Sequence, residues 1–306
     1  MKKVVIIGSM NMDYVINVPH APTDGETILC EQFETFPGGK GANQAYVLGK
    51  LGGEVAMLGA VGQDAPGQSL CDNLQSVGVD TSRVKRLPDM TTGMAFITVD
   101  AQGENRIVVV QGANKAVDIP YIDANMDLLA ASDIVLLQLE IPLETVVYAA
   151  EKAKALGKTL ILDPAPARTD IPESLYQNLD FIKPNEVELA TLVENSDAAR
   201  SLESSVKQLQ DRGVKNVVVS LGEKGVFLRD SQGHTVSFPA DHRVQAVDTT
   251  AAGDSFTAAM AYGLSNGWQL TDAVKLAVRV SNIVVTRKGA QASIPNMWEV
   301  EGESSL

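Results

Sequence analysis

Asp248 and Asp254 bracket five uncharged residues, Thr249-Thr250-Ala251-Ala252-Gly253, and the run Ser255 to Leu264 that follows reads as a helix. Small residues at a helix start leave backbone N–H groups unobstructed, and the positive end of the helix dipole points at the same place, so an anion can be held there. A carboxylate beside that anion repels it. Asp254 has a use, however, as a base that takes the proton from a hydroxyl attacking a bound phosphoryl group, the positioning role phosphoryl transfer asks of a protein. An ordinary Asp cap explains the same residues. Taken alone, the stretch leaves both readings open.

Three further stretches carry residues of the same kind. Gly38-Gly39-Lys40-Gly41-Ala42-Asn43 leads into a helical segment, Gln44 to Leu51, closed by Gly52-Gly53. Its glycines permit a ligand to approach the backbone while Lys40 and Asn43 offer donors; a plain loop-to-helix junction fits as well. Gly41, and not Ser or Thr, follows Lys40, so this is no Walker A sequence, and no G-x-G-x-x-G follows the first strand. Asn11 and Asp13 alternate with Met10, Met12 and Tyr14 and so point the same way at the mouth of a strand. Such a pair can hold the vicinal hydroxyls of a sugar, although an Asx turn uses the same residues. Asn185 and Glu188 stand three apart across a helix start, as a capping box alone or as a cap that also orders a Mg²⁺ hydration shell.

Positioning these side chains requires strand ends and helix starts gathered on one side of a sheet. Val4 to Ile7 is a β-branched run ending in Gly8-Ser9, as expected of a buried parallel strand whose carboxyl end opens onto a site. Further strands are expected at Val55 to Gly59, Ile134 to Leu139, Thr159 to Leu162 and Val217 to Leu221, with helices at Gly67 to Ser76, Asp118 to Ala130 and Thr271 to Arg287. Glu140, just past a strand, sits where ligands bind or caps the helix begun by Pro142. The prolines of Asp163-Pro164-Ala165-Pro166-Ala167 fix a loop. Two excursions break the β-α-β rhythm, short alternating pieces from Tyr14 to Phe36 and a hairpin from Met94 to Val110. Together they predict a small separate sheet, whose natural use is a lid that keeps water from an acceptor.

The 306 residues suit one large α/β domain or two modest ones, and 45% hydrophobic residues supply a sizeable core. A formal net charge of −13 and a pI near 4.7 argue against nucleic acid or an anionic membrane as partner. Any phosphate site must therefore be built locally, which favours a nucleotide accompanied by Mg²⁺. Cys30 and Cys71 form no C-x-x-C, and His20, His234 and His242 lie at no metal-ligand spacing, so the cytosol is the expected compartment. The apolar run after Met1-Lys2-Lys3 stops at Gly8, too short for a secretory leader, and no stretch approaches the ~20 apolar residues of a membrane span.

In this order and over this length, Gly38 to Asn43, Lys183-Pro184-Asn185-Glu186-Val187-Glu188 and Asp248 to Asp254 resemble the signatures of the ribokinase-type, or phosphofructokinase-B-type, carbohydrate kinases. Asn11 with Asp13, Asp163 to Ala167, Val244-Gln245-Ala246-Val247 and Thr286-Arg287-Lys288-Gly289-Ala290-Gln291 extend the resemblance over essentially the whole chain. It implies a single α/β domain over 1–306, a three-layer αβα Rossmann-like core with a small β-sheet lid from insertions at approximately 14–36 and 94–110, and a homodimer through the lids. The implied activity is cytoplasmic transfer of a phosphoryl group from ATP to the 5-hydroxyl of D-ribose. Asp254 is then the base, and the N–H groups of Ala251, Ala252 and Gly253 are the anion hole. Asn11, Asp13, Gly39, Lys40, Asn43 and Glu140, with Asp254, bind the sugar. Asn185, Ser220, Leu221, Gly222, Glu223, Lys224, Gly225 and Gly253 bind ATP, and Glu188 acts on Mg²⁺ through water. Asp248, Thr250, Val284, Arg287, Gly289 and Ser293 hold K⁺ or another monovalent cation, several through carbonyl oxygens. Val278 stands where relatives carry Asn or His near the adenine. Competing readings are a kinase for another sugar or a nucleoside, a sugar-binding regulator without catalysis, which the intact Asp254 argues against, and a nicotinamide oxidoreductase, which lacks its glycine fingerprint.

Overall fold

The computed structural model describes residues 1–30, 33–194 and 201–302. In chain order its strands are β1 (Val4–Ile7), β2 (Asn11–Asn17), β3 (Phe33–Gly38), β4 (Val55–Leu58), β5 (Ala60–Gly62), β6 (Lys85–Leu87), β7 (Gly93–Val99), β8 (Asn105–Val110), β9 (Ile134–Leu137), β10 (Thr159–Leu162), β11 (Phe181–Ile182), β12 (Asn216–Ser220), β13 (Val226–Arg229) and β14 (Thr235–Phe238). Eight of them form the central sheet, ordered β14-β13-β12-β11-β10-β9-β1-β4. From β4 to β12 neighbouring strands pair parallel; β13 and β14 add antiparallel at one edge.

Alternation along each strand divides the core between two faces. Val4 and Ile6 pack into one cluster with helices Lys40–Lys50, Ala252–Ser265 and Leu270–Val285, while Val5 and Ile7 join the other with Leu143–Ala155. All four β1 side chains are buried, each contributing roughly 1.5–3 kcal/mol of burial free energy. Burial on both faces is why β1, β9 and β10 read as continuous apolar runs. The result is the expected three-layer αβα arrangement.

A second sheet, ordered β3-β2-β7-β8, stands apart from the first. β2 pairs antiparallel with β3 and parallel with β7, and β7 pairs antiparallel with β8. This sheet begins at Asn11, earlier than the expected segment at 14, and only Gly8-Ser9-Met10 separate it from β1. Residues 31 and 32 of the 14–36 segment lie outside the described residues. Every residue of β8 is exposed.

The helices expected to begin at Gly67, Ser255 and Thr271 begin at Ala65, Ala252 and Leu270, and two further helices depart more from expectation. The helix after the glycine-rich stretch starts at Lys40, not Gln44, because Glu140 reaches across to cap it. The helix expected over 118–130 is two short ones, Ile119–Asp123 and Met126–Ala131. Asn125 breaks it, its side-chain amide donating to the Tyr121 carbonyl at 2.8 Å, a competition typical of Asn inside helices.

Candidate active site

Helix Ala252–Ser265 is entered through Ala251, which holds the left-handed conformation at φ 59° and ψ 8°. An alanine there costs about 1–2 kcal/mol relative to glycine, so the backbone is held by its surroundings. The turn aims N–H groups outward. Those of Ala251, Gly253 and Asp254 meet no acceptor among the described residues, whereas the Ala252 N–H folds back onto the Thr249 carbonyl at 3.2 Å. Of the three N–H groups expected to form an anion hole, Ala252's is thus partly spent in a turn, and Asp254's is open in addition.

The Asp254 carboxylate lies in the first turn of that helix and is only 6% exposed. Its Oδ2 accepts from Asn43 Nδ2 at 2.8 Å, and its Oδ1 lies 3.9 Å from Lys40 Nζ. Asn43 is itself oriented by Gln291, whose Nε2 donates to Asn43 Oδ1 at 3.0 Å while its Oε1 accepts from Asn73. The Asp254 charge holds the Lys40 ammonium above its ordinary pKa against the opposing effect of burial, and Asp163, Glu140 and Glu188 add to it.

Among the residues expected to bind the sugar, Glu140 Oε2 accepts from the Ser9 hydroxyl and from the Lys40 N–H at 3.1 Å, satisfying an orphan donor at that helix start. Gly39 makes the junction possible. Its φ is +87°, and a methyl group added there would lie 2.6 Å from the Asn11 N. Asn11 is buried, and its Oδ1 accepts from Asn114 Nδ2 at 2.7 Å; Asn114 Oδ1 in turn accepts from the Met10 N–H at 2.9 Å. The Asp13 carboxyl lies over Gly38. Burial, then the charges of Glu140 and Asp254, push its pKa up to about 7.

Near the residues expected to receive the nucleotide, three strand ends converge. Asp163 follows β10, Lys183 follows β11 and Ser220 ends β12. Asp163 Oδ2 accepts from Gln44 Nε2 at 2.9 Å and from the Thr257 hydroxyl at 3.0 Å, with Lys183 Nζ 3.6 Å away. Burial raises the Asp163 carboxyl to about 6, against the lowering charges of Lys183 and Lys40. Asn185 bridges to Ser220, which brings the third motif against the turn Gly222–Lys224 and Gly225. The Leu221 N–H donates across that turn to the Gly225 carbonyl at 2.8 Å, and Lys224 pairs with Glu186 at 3.0 Å on the surface beside Glu223.

A sequence model described as the pfkB family carbohydrate kinase matches residues 1–297. The chain belongs to that family. It is 38% identical to a ribokinase of Schizosaccharomyces pombe over 316 aligned positions, covering 100% of this chain and 99% of that protein. A deoxyribokinase of Salmonella typhi is 36% identical, with 99% of each chain covered. The structure of an Arabidopsis thaliana ribokinase complexed with ribose and ATP superposes at a TM-score of 0.94 with 33% identity, covering 100% of this chain and 99% of that one.

In this pfkB-family site the Asn185–Glu188 capping box is complete, Asn185 Oδ1 accepting from the Glu188 N–H and Glu188 Oε2 from the Asn185 N–H, both at 2.8 Å. Glu188 Oε1 is left without a hydrogen bond among the described residues, and the Glu188 charge is felt by both Lys40 and Asp163. A half-buried carboxylate with a spare oxygen fits a role toward hydrated Mg²⁺. Of the residues expected at the monovalent cation, Asp248 accepts from the Thr250 N–H at 2.9 Å, the Thr250 hydroxyl at 2.6 Å and the Gly289 N–H at 2.9 Å. Burial alone would raise the Asp248 carboxyl; the Thr250 and Gly289 hydrogen bonds and the Lys288 charge outweigh it and hold it below the usual range. The Val284 carbonyl accepts the Arg287 N–H at 3.1 Å, and the Arg287 guanidinium lies 3.5 Å from the Ser293 carbonyl and 2.7 Å from Glu299. The donors offered are oxygens with one carboxylate among them, which suits a hard, singly charged cation.

Sequence reasoning assigned no role to Asn114 or Gln291, which touch Asn11 and Asn43 from elements distant in sequence, nor to Gln44 and Thr257, which meet at Asp163. No spacing rule reaches across such gaps. Lys183 and Asp163 did carry a signal, a charge at the end of an apolar strand in each case, Phe181-Ile182-Lys183 and Leu160-Ile161-Leu162-Asp163.

Proposed function

We propose that the chain phosphorylates D-ribose at the 5-hydroxyl with ATP, giving D-ribose 5-phosphate and ADP. The observation that carries this reading is Asp254, a buried carboxylate at a helix start where the N–H groups of Ala251 and Gly253 are free. The sugar hydroxyl oxygen attacks the γ-phosphorus; its bond to phosphorus forms as the γ-phosphorus bond to the β,γ-bridging oxygen breaks, and ADP leaves with that electron pair. The hydroxyl proton passes to Asp254. Asn43 holds the receiving carboxylate in place, and the open N–H groups take up charge developing on the phosphoryl oxygens. Asn11, Asp13, Gly39, Lys40 and Glu140 orient the sugar; Asn185, the Ser220 to Gly225 turn and Gly253 receive the nucleotide.

Glu188 would order the water shell of the Mg²⁺ that accompanies ATP, an ion that would supply positive charge against the phosphates. Asp248, Thr250, Val284, Arg287, Gly289 and Ser293 would hold K⁺ or a similar ion, which would supply positive charge beside the turn that carries the open N–H groups. The second sheet acts as a lid over the sugar. A homodimer through the exposed edge of that sheet and a cytoplasmic location complete the reading, the latter supported by two cysteines that remain free, Cys30 exposed and Cys71 buried. No helix among the described residues is long and apolar enough to cross a membrane.

The deoxyribokinase relative makes 2-deoxyribose the second reading, since the phosphoryl machinery does not sense the 2-hydroxyl. ADP release measured with ribose, 2-deoxyribose, fructose and nucleosides decides between them: ribose is expected to give the highest kcat/KM, and a higher value for another substrate replaces the substrate while keeping the kinase. Asp254→Asn is expected to lower kcat at least ~10²-fold with ribose affinity little changed. Near-normal turnover in that variant would refute Asp254 as the base.

A further inference from the structure

Lys183 is buried at 3% exposure, yet its ammonium makes no hydrogen bond among the described residues. Its ion partner, Asp163 Oδ2, is 3.6 Å away, longer than a hydrogen bond, and that oxygen already accepts from Gln44 and Thr257. An ammonium at the end of a mostly buried side chain, with an ion partner but no hydrogen bond, has donors to spare. The Nζ is nevertheless aimed somewhere. It lies 3.2 Å from where a methyl group on Gly253 would sit, the nearest atom to that point outside the glycine's own neighbours and helix backbone, so it stands beside the residue whose N–H is unbonded.

The geometry points to Lys183 as a further catalytic residue, its ammonium taking a non-bridging oxygen of the transferring γ-phosphoryl group while Asp163 acts as the positioning residue behind it. This rests on the reading of Asp254 as base. The two ammonium groups then divide the work, because Lys40 stands 3.9 Å from the Asp254 carboxylate while Lys183 stands beside Gly253 on the phosphate side. Asp163 is fixed from two directions, by Gln44 from helix Lys40–Lys50 and by Thr257 from helix Ala252–Ser265, so the lysine is held without being consumed by a tight pair. During transfer the γ-phosphorus bond to the bridging oxygen breaks and the bond to the sugar oxygen forms; Lys183 keeps its proton throughout and only offsets negative charge on an equatorial oxygen. A methyl group at 253 would press on the ammonium and ask it to give by a few tenths of an ångström.

The test compares Lys183→Met and the double variant Lys183→Met/Asp163→Asn, which leaves no buried charge unpaired, by calorimetry and kinetics. With Mg²⁺ present, both are expected to bind ADP as the parent does but a non-hydrolysable β,γ-imido analogue of ATP at least ~10-fold more weakly, and to lose at least ~10²-fold in kcat with KM for the sugar unchanged. An unchanged preference for the triphosphate analogue, or kcat within about threefold of the parent, overturns the inference while leaving Asp254 intact as base. Loss of ADP and triphosphate affinity together in both variants assigns Lys183 to the fold and also overturns it. Turnover surviving in Asp254→Asn would instead defeat the underlying reading.

Discussion

At the scale of single residues, the site is a set of charges whose separations assign their tasks. Asp254 and Asp163 are both buried acids, but one accepts from Asn43 at 2.8 Å and from Gln44 at 3.5 Å and faces Lys40, whereas the other accepts from Gln44 at 2.9 Å and from Thr257 and faces Lys183. Asp13 is the acid with the largest consequence for pH. Burial with Glu140 and Asp254 nearby raises it to about 7, so in the free protein it holds a proton below neutrality and releases it above. A sugar hydroxyl donating to the ionised carboxylate competes with that proton. KM for the sugar should therefore rise as pH falls from 8 to 6, approaching tenfold per unit below the pKa, and Asp13→Asn should flatten the profile while raising KM. A pH-independent KM in the parent would count against Asp13 as a sugar contact. Asn11, Asp13, Lys40 and Asp254 were legible in the sequence because each sits at a strand end or helix start. Their supports were not: Asn114 and Gln291 act only through tertiary contacts, with no local pattern to announce them.

At the scale of elements, function depends on how three helix starts are brought to one sheet edge. The capping box at Asn185–Glu188 was readable to the residue, since its two hydrogen bonds are local. The start of helix Lys40–Lys50 was not, because Glu140, remote in sequence, caps it. The loop from Asp248 to Ala251 is fastened to the loop after helix Leu270–Val285 by the Asp248 to Gly289 hydrogen bond and by the Val247 and Asp248 N–H groups on the Val285 carbonyl, at 2.7 and 3.2 Å. A cation bound there would tighten the turn that sets the N–H groups of Ala251 and Gly253. Replacing K⁺ by choline at constant ionic strength should lower kcat several-fold, on the order of 5-fold or more, with sugar KM changed less. Equal rates in K⁺, Na⁺ and choline would remove the cation from the account.

For the whole molecule, the apolar strip along β8 stands out. Ile107 is 54% exposed, Val108 65% and Val109 52%, and Phe33 is 60% exposed at the other edge, where it stacks on Tyr14. Monomeric proteins rarely leave an edge strand so apolar and unpaired. If two copies cover it, the double substitution Ile107→Glu/Val109→Glu should give a monomer in analytical ultracentrifugation while the melting curve keeps a single transition. A parent that is itself monomeric at micromolar concentration would refute the dimer. The β-α-β order, the hairpin and the second sheet were legible as rhythm and its interruptions; the parallel pairing of β2 with β7, which joins the two excursions, was not, since pairing between distant strands leaves no mark in either one. That second sheet also bears on a rival acceptor, water. Under the proposed roles, Asn11 and Asp13 ride on β2 whereas Asp254 rides on a helix of the central sheet, so the sugar's ligands and its base would be supplied by two bodies joined through Gly8-Ser9-Met10 and through Gly39, among other links. A pentose can touch both bodies at once and register one against the other; a water molecule is too small to do so. Economy with ATP in the absence of sugar is then a matter of span, with the sugar serving as the gauge that sets the distance between the two sheets.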